Sequence, residues 1–61
     1  MSSNLTAKEL SALGDLLSNE EFLVKKFNLL AETTQDREIK DNMLHIAHKH
    51  QEHFNKLYSQ L

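Results

Sequence analysis

The chain is 61 residues long, carries a formal net charge of −2 and contains neither cysteine nor proline. A polypeptide of this length forms one domain at most and buries only about 60% of the surface its unfolded form exposes. Residues 1–61 are therefore read as a single domain that needs a partner chain. With no thiols, its stability has to come from helix packing, self-association, or a metal held by histidine and carboxylate. Lysines scattered along a mildly acidic chain give nucleic acid no basic stripe to follow. Apolar runs no longer than three residues, such as "FLV", argue against a membrane span. "MSSNLTAKEL" lacks the basic start and apolar stretch of a signal peptide, so a soluble protein made in the cytoplasm is expected.

Residues 1–5 are expected to form a loose tail. In "TAKE", Thr6 is followed three positions later by Glu9, the pattern of a capping box that satisfies two backbone N–H groups at a helix start. From there apolar residues recur at spacings of three and four, the period of an amphipathic helix. Helix 1 is expected over about 6–33. Gly14 interrupts it at a cost of ~1 kcal/mol relative to alanine, either as a tolerated weak spot or because another helix approaches closely there.

"ETTQDRE" gathers side chains that hydrogen-bond their own backbone and so compete with a helix. A turn is expected at about 34–36. Asp36 is a good N-cap for helix 2, Glu38 complements the dipole in its first turn, and the periodic pattern carries the helix over about 37–61. The fold class is thus all-α, an antiparallel helical hairpin.

The core stripe of helix 1 runs Leu10, Leu13, Leu17, Glu20, Val24, Phe27, Ala31, and that of helix 2 runs Ile39, Met43, Ile46, His50, His53, Leu57. Alternating steps of three and four are those of a left-handed bundle seam. Folding back at residue 35 sets residues level whose numbers sum to about 70. Glu20 then faces His50, Val24 faces Ile46, Phe27 faces Met43, and Leu17 or Leu16 faces His53.

Three ionisable groups converge in a stripe otherwise built from large apolar residues, where an unpaired polar group costs roughly 1–3 kcal/mol. Something must satisfy them. Histidines at i and i+3 share one helix face, and a facing carboxylate completes a nitrogen and oxygen donor set suited to a divalent transition metal such as zinc or iron. Glu20, His50 and His53 are the expected metal ligands. The alternative is a metal-free hydrogen-bond network among the same three residues that fixes the register of the hairpin. His45 and His48 fall off the seam, beside Asp41, Lys49 and Glu52, and are expected to be solvated.

A hairpin with an exposed apolar stripe is expected to pair with a second copy into a four-helix bundle. Further rows, Leu16, Leu23, Leu30 on helix 1 and Ala47, Phe54, Leu61 on helix 2, are expected to widen that stripe. No serine or cysteine stands at a recognisable spacing from a base, and a single glycine excludes a phosphate-cradling loop. The expectation leans away from an enzyme. Oxygen or peroxide chemistry at a bound iron is the one catalytic alternative.

"EEFLVKKFNLLAE" resembles the first helix of a ferritin-like carboxylate bundle, and "IAHKHQEH" resembles the rubrerythrin pattern in its second helix, Ile-Ala-x-x-Glu-x-x-His. Glu20 and His53 match the metal-binding Glu and His of that pattern, and His50 stands in place of its second Glu. Over about residues 5–61, "LTAKEL", "LVKKFNLLAE", "TTQDRE" and "IAHKHQEHFNKL" make the chain similar to short coat F-type spore coat proteins. The resemblance implies a ferritin-like half-bundle and a place in the spore coat among other coat proteins; it implies no reaction. The histidine at position 50 matters for charge. Two copies of Glu20, His50 and His53 carry only two carboxylates, enough to balance one divalent ion, which disfavours a di-iron centre.

Overall fold

A computed structural model describes residues 4–61 and contains two helices, α1 at Ala7–Thr33 and α2 at Arg37–Tyr58, packed against one another as a hairpin. The expected loose tail falls partly on residues 1–3, which lie outside the described residues; Asn4 and Leu5 are non-helical. The start of α1 is the capping box anticipated from "TAKE". The Thr6 hydroxyl accepts from the Glu9 backbone N–H, and the Glu9 carboxylate accepts from the Thr6 N–H, both at 3.0 Å.

Thr34 to Asp36 form the turn. Thr34 caps α1 in an extended conformation (φ −86°, ψ 145°), its N–H donating to the Leu30 carbonyl. Asp36 accepts from Ile39 N–H at 3.0 Å and starts α2, while its own N–H is taken by the Thr34 hydroxyl at 3.2 Å. The side chains that weaken the helix at "TTQD" thus supply the partners the backbone needs there.

α2 ends at Tyr58, three residues short of the expected terminus at Leu61. The last turn tightens to i→i+3 bonding, Gln60 N–H to Leu57 carbonyl and Leu61 N–H to Tyr58 carbonyl, both at 3.0 Å. The Ser59 hydroxyl also donates to the Lys56 carbonyl at 2.6 Å. This tighter bonding gives partners to carbonyls that the end of α2 leaves without an i→i+4 donor.

The two seams face each other along a rod of 46 × 16 × 11 Å. Among the described residues only Leu13, Ala31 and Ala47 are buried, and no large side chain is sealed completely. Leu17, Val24, Phe27, Met43, Ile46 and Leu57 are half-buried, whereas Leu10 and Ile39 at the seam ends remain exposed. A Cβ built on Gly14 meets nothing within 4 Å, so this glycine is a weak spot in α1 and not a point of close helix approach.

The further apolar rows do not widen one stripe. Leu16 lines a groove with Glu20, His53, Lys56 and Leu57, whereas Phe54 lines another with Glu21, Val24, Lys25 and Gln51. The Leu16 row and the Phe54 row therefore lie on opposite flanks, and Ala47 is buried between the helices. In an antiparallel pair the same rotational side of each seam faces the same flank, and the Leu16 row lies on one rotational side of the α1 seam while the Phe54 row lies on the other rotational side of the α2 seam. The second row on each helix thus points to a different flank.

Candidate metal centre

Glu20 sits mid-way along α1 and His50 two-thirds of the way along α2, where the hairpin brings them level. The Glu20 Oε1 lies 2.6 Å from His50 Nδ1, with side-chain exposures of 17% and 22%. A carboxylate only accepts, so this bond places the hydrogen on His50 Nδ1. A partly desolvated, charge-assisted bond of this length is among the stronger side-chain interactions. It satisfies the polar groups that the seam would otherwise leave unpaired, and among the described residues no buried side-chain nitrogen or oxygen lacks a partner.

The second carboxylate oxygen, Oε2, faces His53 Nδ1 at 3.7 Å. That separation is ion-pair range and too long for a hydrogen bond. His53 is the outer member of the trio at 56% exposure, because its position on α2 turns it from the seam toward the flank that carries Leu16. The His50 and His53 rings meet edge to face with centroids 5.6 Å apart.

On the side nearer the turn, the Phe27 ring stacks on His50 with centroids 5.9 Å apart and planes 13° from parallel. The level rule pairs Phe27 with Met43 and misses this contact. Side chains on a helix lean toward its N-terminus, so in an antiparallel pair Phe27 leans from level 27 toward 24 while His50 leans toward 46, opposite 24. The two rings converge. That directional lean was the available signal.

Each of Glu20, His50 and His53 offers one donor atom, and the three atoms lie within 4.8 Å of one another, the cluster of this kind among the described residues. Ligands at ~2.0–2.1 Å from a tetrahedral zinc sit roughly 3.3–3.5 Å apart, so closing on an ion requires side-chain shifts of about 1 Å. Half-buried Phe27, Val24, Ile46 and Leu57 surround the trio on the seam. The groove beside it, about 330 Å³, is lined by Leu16, Glu20, His53, Lys56 and Leu57 and leaves Glu20 and His53 accessible from one side.

His45 and His48 are exposed and stand apart from the trio. His48 Nε2 lies 3.5 Å from Glu52 Oε2, and Lys49 Nζ lies 3.8 Å from the other Glu52 oxygen, both pairs well solvated. No family model, no curated protein and no solved structure matches the chain. Among the described residues no helix is long and apolar enough to cross a membrane.

Proposed function

We propose that this chain is a small non-enzymatic metal-binding protein whose hairpin pairs with a second copy into a four-helix bundle. Glu20, His50 and His53 form its site for a divalent transition metal, zinc or iron. The observation that carries this reading is the convergence of one carboxylate and two imidazoles, with donor atoms within 4.8 Å, in the middle of an otherwise apolar seam. Such nitrogen and oxygen sets suit borderline metals. Pairing is supported by how little of the seam is buried among the described residues, where Leu13 is the one large side chain in the buried set, since a hairpin alone leaves its stripe half in water. The resemblance to short coat F-type proteins supports deposition in the spore coat after synthesis in the cytoplasm, with other coat proteins as neighbours.

The test is thermal unfolding of protein prepared without a histidine tag, in chelator and with added zinc. We expect zinc to raise the Tm and chelator to lower it, because an ion that binds only the folded state stabilises it by about 2.7 kcal/mol at a hundredfold excess over Kd. The double variant H50A/H53A should lose the response, while H45A/H48A keeps it. An identical Tm in zinc and chelator would sink the proposal.

A second reading has its own supporting observation. The 2.6 Å bond between Glu20 and His50 already satisfies the buried groups, so the trio can act without metal as a polar device that fixes the hairpin's register in a structural module of the coat. In that case chelator has no effect, and His50→Ala alone loosens the fold.

A further inference from the structure

We infer that two copies of the chain share a single divalent cation across a two-fold axis. Each copy supplies Glu20 Oε2 and His53, while His50 is a positioning residue. The inference rests on the metal-binding reading above and specifies how that site is completed.

His50 Nδ1 carries the hydrogen it gives to Glu20 Oε1 at 2.6 Å, so this nitrogen has no lone pair for an ion. Its Nε2 keeps a lone pair, but one face of the ring is stacked on Phe27 and His50 does not line the groove onto which Glu20 and His53 open. Its role is that of the outer partner that fixes a ligating carboxylate. Glu20 and His53 do line that groove, with Oε2 turned toward a histidine that is more than half exposed. One copy thus presents two outward donors, and a closed tetrahedral site needs four. A two-fold axis doubles the pair to two oxygens and two nitrogens. Charge points the same way: two carboxylates neutralise one divalent ion and leave a second uncompensated.

A second copy is the occupant the groove fits. Leu16 lines it together with Leu57, and Leu23 and Leu30 continue the Leu16 row at seven-residue spacing on the same flank, with Leu16 51% and Leu30 41% exposed. The surface of the chain is 4856 Å², against about 4,100 Å² for a folded monomer of this mass. That excess goes with the rod shape, and a second copy packed along the flank makes the assembly more compact. A two-fold presents the same patch to itself, so the Leu16 row of each copy covers the seam edge of the other. Lys56 at the groove rim has a stem long enough to keep its ammonium in water.

The experiment is a zinc titration followed by calorimetry and sedimentation velocity, in an H45A/H48A background so that the exposed histidines take up no ion. The expected result is half an equivalent of zinc per chain, a zinc-dependent shift to dimer, and reversal by chelator. His53→Ala should abolish the shift. His50→Gln, which keeps a donor for Glu20, should retain half-equivalent binding with affinity lowered about 10–100-fold. Leu30→Glu, on the Leu16 row but remote from the ligands, should weaken the zinc-dependent dimer, whereas Tyr58→Glu, whose ring stacks on Phe54 on the opposite flank, should not. One equivalent per chain, or zinc bound with no change in sedimentation, would overturn the shared ion and leave the Glu20, His50, His53 site standing. H50Q as damaging as H53A would make His50 a ligand and overturn its positioning role. No zinc uptake would remove both proposals.

Discussion

At the level of single residues, His50 is held by three separate interactions and His48 by one. The Glu20 bond at 2.6 Å, the Phe27 stack and the edge contact with His53 all act on a ring that is 22% exposed. His48 reaches only a solvated Glu52 at 3.5 Å. Removing a partner from a partly buried charge-assisted bond costs about 1–3 kcal/mol, while exposed pairs contribute ~0–1 kcal/mol. His50→Ala should therefore lower stability in chelator by about 1–3 kcal/mol and His48→Ala by less than about 0.5 kcal/mol, measured by urea denaturation. Equal effects would contradict the difference in their surroundings. The Glu20–His50 pairing was legible from position alone, because equal rise on two helices folded at residue 35 makes their numbers sum to 70. The Phe27 stack was not legible that way, since level arithmetic ignores the lean of side chains along the axis.

For the two helices, the ends are set by local chemistry and the middle by packing. Thr6 with Glu9 and Asp36 with Ile39 were both readable, since a cap depends on residues within a single turn. Thr6→Ala or Asp36→Ala should each cost about 0.5–2 kcal/mol. Gly14 faces open space, so Gly14→Ala should stabilise the protein by up to about 1 kcal/mol, through both helix propensity and reduced freedom of the unfolded chain. A loss of stability in G14A, followed by chemical denaturation, would mean that something packs against that position. The end of α2 was less legible. Periodicity carries no information about where i→i+4 bonding gives way to i→i+3, and here it does so after Tyr58.

Taken whole, the hairpin has a seam but hardly a core. Among the described residues Leu13 is the one large side chain below a tenth exposed, while Leu10, Leu16, Phe22, Leu29, Leu30, Ile39, Leu44 and Tyr58 are each at least two-fifths exposed. A chain whose folding is completed by association has a Tm that rises with concentration, and calorimetry over a hundredfold dilution should show that rise; a constant Tm would assign the fold to a lone hairpin. Helical content, turn and antiparallel pairing followed from periodicity and the "TTQD" break. The flank each row occupies did not, because it depends on comparing the rotational side of one seam with that of the other, which a pattern read along one helix at a time does not display. Level arithmetic offered Leu17 or Leu16 for His53, and the folded pair puts Leu16 in the groove beside it and Phe54 in the one beside Val24.

Whether the trio holds a metal is decided most directly by the elemental content of native protein purified without a histidine tag or chelator. The proposed site predicts a divalent transition metal at a fixed ratio, half an equivalent per chain if two copies share it, and its loss in H50A/H53A. Protein free of transition metal that also fails to take up zinc or iron would contradict the site and leave Glu20, His50 and His53 holding only one another.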